Sequence, residues 1–108
     1  MQAGDKAGAE QELKTAANFS DKDVAALAKM ALASMYRGTN RAAEAIAIYK
    51  DLSEHPTVTV SKSQAQLELA EMYESTDPQQ ATLIYQQVQK DDPKSPAAQL
   101  AGQKLSKR

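Results

Sequence analysis

The chain has no cysteine, one histidine, and only four prolines and four glycines in 108 residues. Without cysteine it can form no disulfide, zinc-thiolate centre or thiol nucleophile, and its redox compartment is left open. No apolar run approaches the roughly 20 residues needed to span a bilayer. The opening MQAGDKAGAE lacks the charged and then apolar blocks of a signal peptide. A basic excess is also missing: 13 basic and 14 acidic residues are well mixed, giving a net charge of -1. A nucleic-acid binder needs a basic stripe to displace counterions, so that class is disfavoured.

What remains is rich in helix formers. Alanine, leucine, glutamine, lysine and glutamate dominate, valine and isoleucine are few, and proline and glycine sit at segment edges. An apolar fraction of 42% with 25% charged residues belongs to a globular domain able to bury a modest core. The alternating TVTV at 57–60 has no second strand to pair with and reads as a connector.

Two pentapeptides organise the chain. LASMY at 32–36 returns as LAEMY at 69–73, 37 positions on, and the flanks follow. Upstream, Ala28 matches Ala65 and Met30 matches Leu67. Downstream, AIAIYKDL (45–52) aligns with ATLIYQQV (81–88) at an offset of 36, and the offset returns to 37 at Pro56 and Pro93. All four tyrosines, at 36, 49, 73 and 85, fall on matched positions. The template also reaches backwards to Ala9, Leu13 and Ala16, with GDKAGA (4–9) expected to supply a glycine turn before them. The chain therefore reads as opening in the middle of a unit.

Helix edges agree with this division. Ser20 precedes the first long helix, and Ser61 with Gln64 forms a capping-box pattern. Asp77-Pro78 and Ser95-Pro96 each place a capping side chain before a first-turn proline. The pattern predicts helices near 5–17, 21–37, 41–54, 62–75, 78–90 and 96–106. Ala25, Ala28, Leu32, Ala33, Met35 and Tyr36 should form one face of the second. Ala65, Leu69, Ala70, Met72 and Tyr73 should form the same face of the fourth. Each antiparallel pair leaves one side apolar, so the next pair is expected to stack upon it. The expected fold is all-α, an α-solenoid of helix pairs over residues 1–108: the second helix of an incomplete unit at 5–17, repeats at 21–56 and 61–93, and a capping helix at 96–106.

The spacing Leu-Ala-x2-Tyr, then Ala-x3-Tyr, then Pro, resembles the tetratricopeptide repeat. It is carried by Leu32, Ala33, Tyr36, Ala45, Tyr49 and Pro56, and again by Leu69, Ala70, Tyr73, Ala81, Tyr85 and Pro93. The family's tryptophan position holds Lys29 and Gln66, and its first glycine is replaced by Ala33 and Ala70. The resemblance implies a right-handed superhelix whose first-of-pair helices line a concave, peptide-binding groove. The tail DPKSPAAQLAGQKLSKR is similar to the closing helix of bacterial cell-envelope members, which implies a periplasmic or envelope location, with the cytoplasm as the alternative.

The groove face so implied carries Leu27, Met30, Ser34 and Arg37 on the second helix, and Gln64, Leu67, Glu71 and Glu74 on the fourth. Apolar Leu27, Met30 and Leu67 on a face otherwise wet suit a partner segment. They could instead pack against an upstream helix and one another. Chaperone-binding members clamp a C-terminal carboxylate with lysines and asparagines. Here Met30, Ser34, Leu67 and Glu71 stand on that face, and Glu71 and Glu74 would repel such a carboxylate.

Catalytic chemistry finds little to use. His55, beside Pro56 at a predicted helix end, has no nucleophile beside it and only Asp51 at helical spacing. A solvated histidine near the negative end of a helix dipole is the simpler reading. The pairs Asp21/Asp23, Glu71/Glu74 and Asp91/Asp92 lack a glycine-rich loop or an oxygen cage. No enzyme, metal or cofactor is expected.

The leading expectation is a non-catalytic scaffold for a protein or peptide partner, with no nucleic acid and no membrane contact. The alternative is a spacing or oligomerisation domain of a larger membrane-anchored or secreted protein. Ala9, Leu13, Ala16 and Ala17 would have a partner on one side only, which predicts a longer parent chain and self-association through the N-terminal edge. In the last helix Ala97, Leu100, Ala101 and Leu105 are expected to face inward, with Gln99, Gln103, Lys104 and Lys107 on the outside.

Overall fold

The computed structural model describes residues 3–107, and the side chains of residues 7–107. It holds six α-helices: α1 Ala3–Ala17, α2 Lys22–Gly38, α3 Ala42–Glu54, α4 Lys62–Tyr73, α5 Pro78–Asp91 and α6 Pro96–Ser106. No strand occurs among the described residues. The fold is all-α.

Short polar side chains start most of these helices. Ser61, Asp77 and Ser95 each accept a hydrogen bond from the backbone N–H three residues on, with Pro78 and Pro96 in the first turn. The cap of α2 is Asp21 rather than Ser20: its carboxylate accepts from the N–H groups of Asp23 and Val24 at 2.9 and 3.3 Å. Ser20 instead follows the turn in which Phe19 N–H donates to the Ala16 carbonyl. Between α2 and α3 the chain reverses through Asn40 at a φ of 66°, a left-handed conformation that asparagine tolerates better than most residues.

Each helix packs against the next in the chain, and α4 also touches α6. The molecule measures 41 × 29 × 18 Å with a radius of gyration of 14.5 Å. A spherical domain of this length would be nearer roughly 13 Å, so the molecule is somewhat elongated. The matched sequence positions occupy matched places in the core. Leu32 and Leu69 are each 6% exposed, Ala33, Ala70, Ala45 and Ala81 are fully buried, and Tyr49 and Tyr85 are 1% and 0% exposed. Alanine at these contacts lets neighbouring helix backbones close up, and a tyrosine ring fills the space beside them. Tyr36, Ala45 and Tyr49 form one apolar cluster with Leu32, Ala33 and Leu69; Ala70, Ala81, Tyr85 and Val88 form a second with Ala101.

Four local expectations change. The glycines at 4 and 8 lie inside α1, not in a turn before it. A helix tolerates glycine at a cost of about 1 kcal/mol, which the packing of Leu13 against the first cluster offsets. The TVTV connector is not merely a spacer. Thr57 N–H donates to the Val60 carbonyl at 2.9 Å, and Val60 drops into a third cluster with Ala26, Leu52 and Ala65. In α6 the buried residues are Ala98 and Ala101, Ala97 and Leu105 are half-buried, and Leu100 turns outward at 49% exposure. A helix of eleven residues packed on both α5 and α4 buries a different stripe from one packed on α5 alone. On α2 and α4 the outer members of the predicted faces, Met35, Met72 and Tyr73, are only half-buried.

Candidate partner-binding cleft

Leu100 stands at a small cleft between α4 and α6. Its lining is Leu67, Glu68 and Glu71 from α4, Tyr85 from α5, and Leu100 and Lys104 from α6, around a volume of about 100 Å³. The floor is apolar: half-buried Leu67 packs on the second cluster, and the Tyr85 ring lies beneath. The rim is charged. Lys104 Nζ stands 3.7 Å from both Glu71 Oε2 and Glu74 Oε1. Glu74 in turn accepts from the Tyr85 hydroxyl. Glu68 accepts from the Arg37 guanidinium, which reaches across from α2.

Arg37 and Glu74 occupy equivalent places, each following the first tyrosine of its unit, and each lies close enough to the unit's second tyrosine to act on its hydroxyl. The Arg37 guanidinium acts on Tyr49 electrostatically, whereas Glu74 accepts a hydrogen bond from Tyr85. Burial raises the Tyr49 pKa, with Arg37 pulling against it. For Arg37 burial acts downward, but Tyr49, Glu68 and Glu71 outweigh it and the guanidinium is held more firmly charged. The two tyrosine hydroxyls thus face groups of opposite sign.

The eight residues read from the sequence fall into three groups. Leu67 and Glu71 line the cleft and Glu74 stands on its rim; Arg37 is tied to the lining residue Glu68. Leu27, at 53% exposure, together with Ser34 and Gln64, lies on the open surface. Met30 is half-buried and packs inward between the first and third clusters. Glu68, Tyr85, Leu100 and Lys104 are the cleft residues that sequence reasoning missed as site residues; of these, Leu100 and Lys104 come from α6. Their i,i+4 spacing, which places both on one helix face, was the available signal.

The other acidic residues and the histidine singled out from the sequence lie in local surroundings. Asp21 caps α2, and Asp23 accepts from Val58 N–H at 3.2 Å. Asp91 accepts from Gln87 at 2.7 Å and lies 3.7 Å from Lys62. The Asp92 carbonyl accepts from both the N–H and the hydroxyl of Ser95. His55 is 75% exposed, with Nδ1 at 3.3 Å from Asp51 Oδ1. Among the described residues no three His, Asp or Glu side chains converge as a metal site would require. No helix among them is long and apolar enough to cross a membrane. No family profile, curated protein or solved structure matches the chain.

Proposed function

We propose that the chain is a non-catalytic helical-repeat scaffold of tetratricopeptide type that holds a partner protein or peptide against α4 and α6. The reading is supported by one observation above others: an outward leucine, Leu100, set beside half-buried Leu67 in a cleft ringed by ions. An aliphatic side chain kept half in water next to a second one is a natural anchor point, and the charged rim supplies orientation. The like burial of Leu32 and Leu69, Ala33 and Ala70, Ala45 and Ala81, and Tyr49 and Tyr85 supports the solenoid, in which α2, α4 and α6 share the face that meets the partner.

The cleft volume of about 100 Å³ suits a single aliphatic side chain rather than a whole small molecule. Glu68, Glu71 and Glu74 outnumber Arg37 and Lys104, so the partner is an extended or helical segment with one aliphatic anchor and a basic flank. The envelope location rests on the resemblance of the tail alone.

Selection of displayed random peptides against the immobilised chain tests this. The enriched peptides should share an aliphatic residue beside lysine or arginine, and Leu100→Glu should raise their Kd at least about tenfold. Leu100 is exposed, so the variant should keep the parent circular-dichroism spectrum. Enriched peptides that bind L100E as well as the parent would overturn the proposal.

A further inference from the structure

A larger recess lies elsewhere on the molecule and shares no residue with the α4–α6 cleft. It occupies about 580 Å³ where the C-terminal ends of α1 and α3 flank the first half of α2. That volume falls within the roughly 300–1,000 Å³ typical of small-molecule sites.

The lining divides by chemistry. Ala25, Ala26 and Leu52 make a buried apolar floor, each less than a tenth exposed. Ala17, Phe19 and Pro56 form apolar walls. Phe19 is 54% exposed, an aromatic ring held at the edge of a recess with one face uncovered. The two alanines create the depth: any larger side chain at 25 or 26 would fill the trough.

The polar part of the lining is Lys22, Lys29, Asp51, His55 and Thr57. Asp51 is already engaged twice, by Lys29 at 3.0 Å and by His55 Nδ1 at 3.3 Å. Lys22, one helical repeat of seven from Lys29 on the same face of α2, has no ion-pair partner among the described residues. With His55 neutral, two cations face one carboxylate, and the recess carries one net positive charge.

We propose that this recess binds a small amphiphilic monoanion, an acyl chain or apolar ring bearing one carboxylate. The apolar part lies on Ala25, Ala26 and Leu52 against Phe19, and the carboxylate reaches Lys22 and the outer side of Lys29. A dianion would leave charge uncompensated in a partly apolar site, and a cation would meet Lys22. A neutral ligand would gain the burial and forgo the charge pairing.

Decanoate is a direct probe, followed by ¹⁵N–¹H spectra of the full chain at concentrations below micelle formation. Saturable shifts are expected at residues 17–29 and 51–57 and not at 67–104. Decanol, the neutral analogue, should bind more weakly. Lys22 is exposed and stands at the first position of α2, where a glutamate suits the helix dipole, so Lys22→Glu should fold like the parent. That variant should weaken decanoate about fivefold to tenfold and leave decanol unchanged. No saturable binding, shifts scattered over the surface, or equal affinity of decanoate for the parent and K22E would each overturn the proposal.

Discussion

The Tyr36 hydroxyl donates to Glu10 Oε2 at 3.0 Å, joining the end of α2 to the middle of α1. The same carboxylate takes Arg41 on its other oxygen at 2.7 Å and Lys14 at 3.1 Å, and the Arg41 guanidinium lies 4.1 Å above the Tyr36 ring. Arg41 also grips Glu44. Among the described residues helix α1 contacts α2 alone of the helices, and its apolar residues Ala9, Leu13, Ala16 and Ala17 are only half-buried. Glu10 is therefore the polar pin of an element whose apolar grip is weak.

Acid should release that pin. Hydrogen bonds from Arg41, then Lys14, then Tyr36 lower the Glu10 pKa to about 2 from 4.5. Because the folded value is the lower one, the stabilisation is complete above the unfolded value and fades as pH falls from about 4.5 towards 2. Protection of the α1 amides, relative to their intrinsic exchange rates, should fall across that window before α4 and α5 respond. In Glu10→Gln the protection of α1 should be lower at pH 7 and nearly independent of pH from 5 to 2.5. An α1 whose protection in the parent does not change between pH 5 and 2.5 would show that the pin is dispensable.

The four residues of TVTV separate two roles that their sequence makes look alike. Val58 is 93% exposed and Val60 is 1% exposed. Thr57, Thr59 and Asp23 hold the loop from both sides: Val60 N–H donates to Thr57 Oγ1, and Thr59 Oγ1 donates to the Asp23 carbonyl at 2.8 Å. Val60→Ala should cost about 2 kcal/mol in denaturant unfolding. Val58→Thr should fall within about 0.5 kcal/mol of the parent. Similar costs at both positions would mean that the loop does not plug the core.

That pair also marks where the sequence was legible. Tyr49, Tyr85, Ala45 and Ala81 are apolar positions in long periodic segments, and repetition tested each of them twice. Val60 lies outside any period, and nothing local distinguishes it from Val58; its burial is decided by Ala26, Leu52 and Ala65 on three different helices. Leu100 fails for a related reason. Its helix is short, and which side faces inward depends on the added contact with α4. The Glu10–Arg41 node joins charges 31 residues apart, and a single sequence does not pair distant charges. Of the six cleft residues, Leu67 and Glu71 were legible by repeat position and Tyr85 only as a core residue, while Glu68, Leu100 and Lys104 were not.

Gly8 offers a gain in stability. A methyl group added to it meets nothing within 4 Å, and the residue lies in the body of α1. Alanine there reduces the freedom of the unfolded chain and improves helix propensity without a clash. Gly8→Ala should add about 0.5–1 kcal/mol to the protection of α1 by hydrogen exchange, with little change in α5. Gly102→Ala should gain less, because its new methyl would sit 3.0 Å from Gln89 Nε2 and move that side chain.

Gln66 is the repeat counterpart of Lys29, and the two have met different fates. Lys29 reaches Asp51 on α3, whereas the residue equivalent to Asp51 is Gln87, which turns to Asp91 on its own helix. Gln66 Oε1 is left buried with no hydrogen-bond partner among the described residues. An amide oxygen taken from water without compensation costs roughly 1–3 kcal/mol. Methionine matches the shape and length of glutamine and carries no such demand, so Gln66→Met should stabilise the chain by about 1 kcal/mol. Thermal unfolding of Q66M beside the parent measures it. The control is Lys29→Met, which strands Asp51 without its lysine but leaves that carboxylate near His55 and solvent, and should cost under about 1 kcal/mol. A Q66M variant less stable than the parent would place a satisfied group at Gln66 and break the asymmetry between the two units.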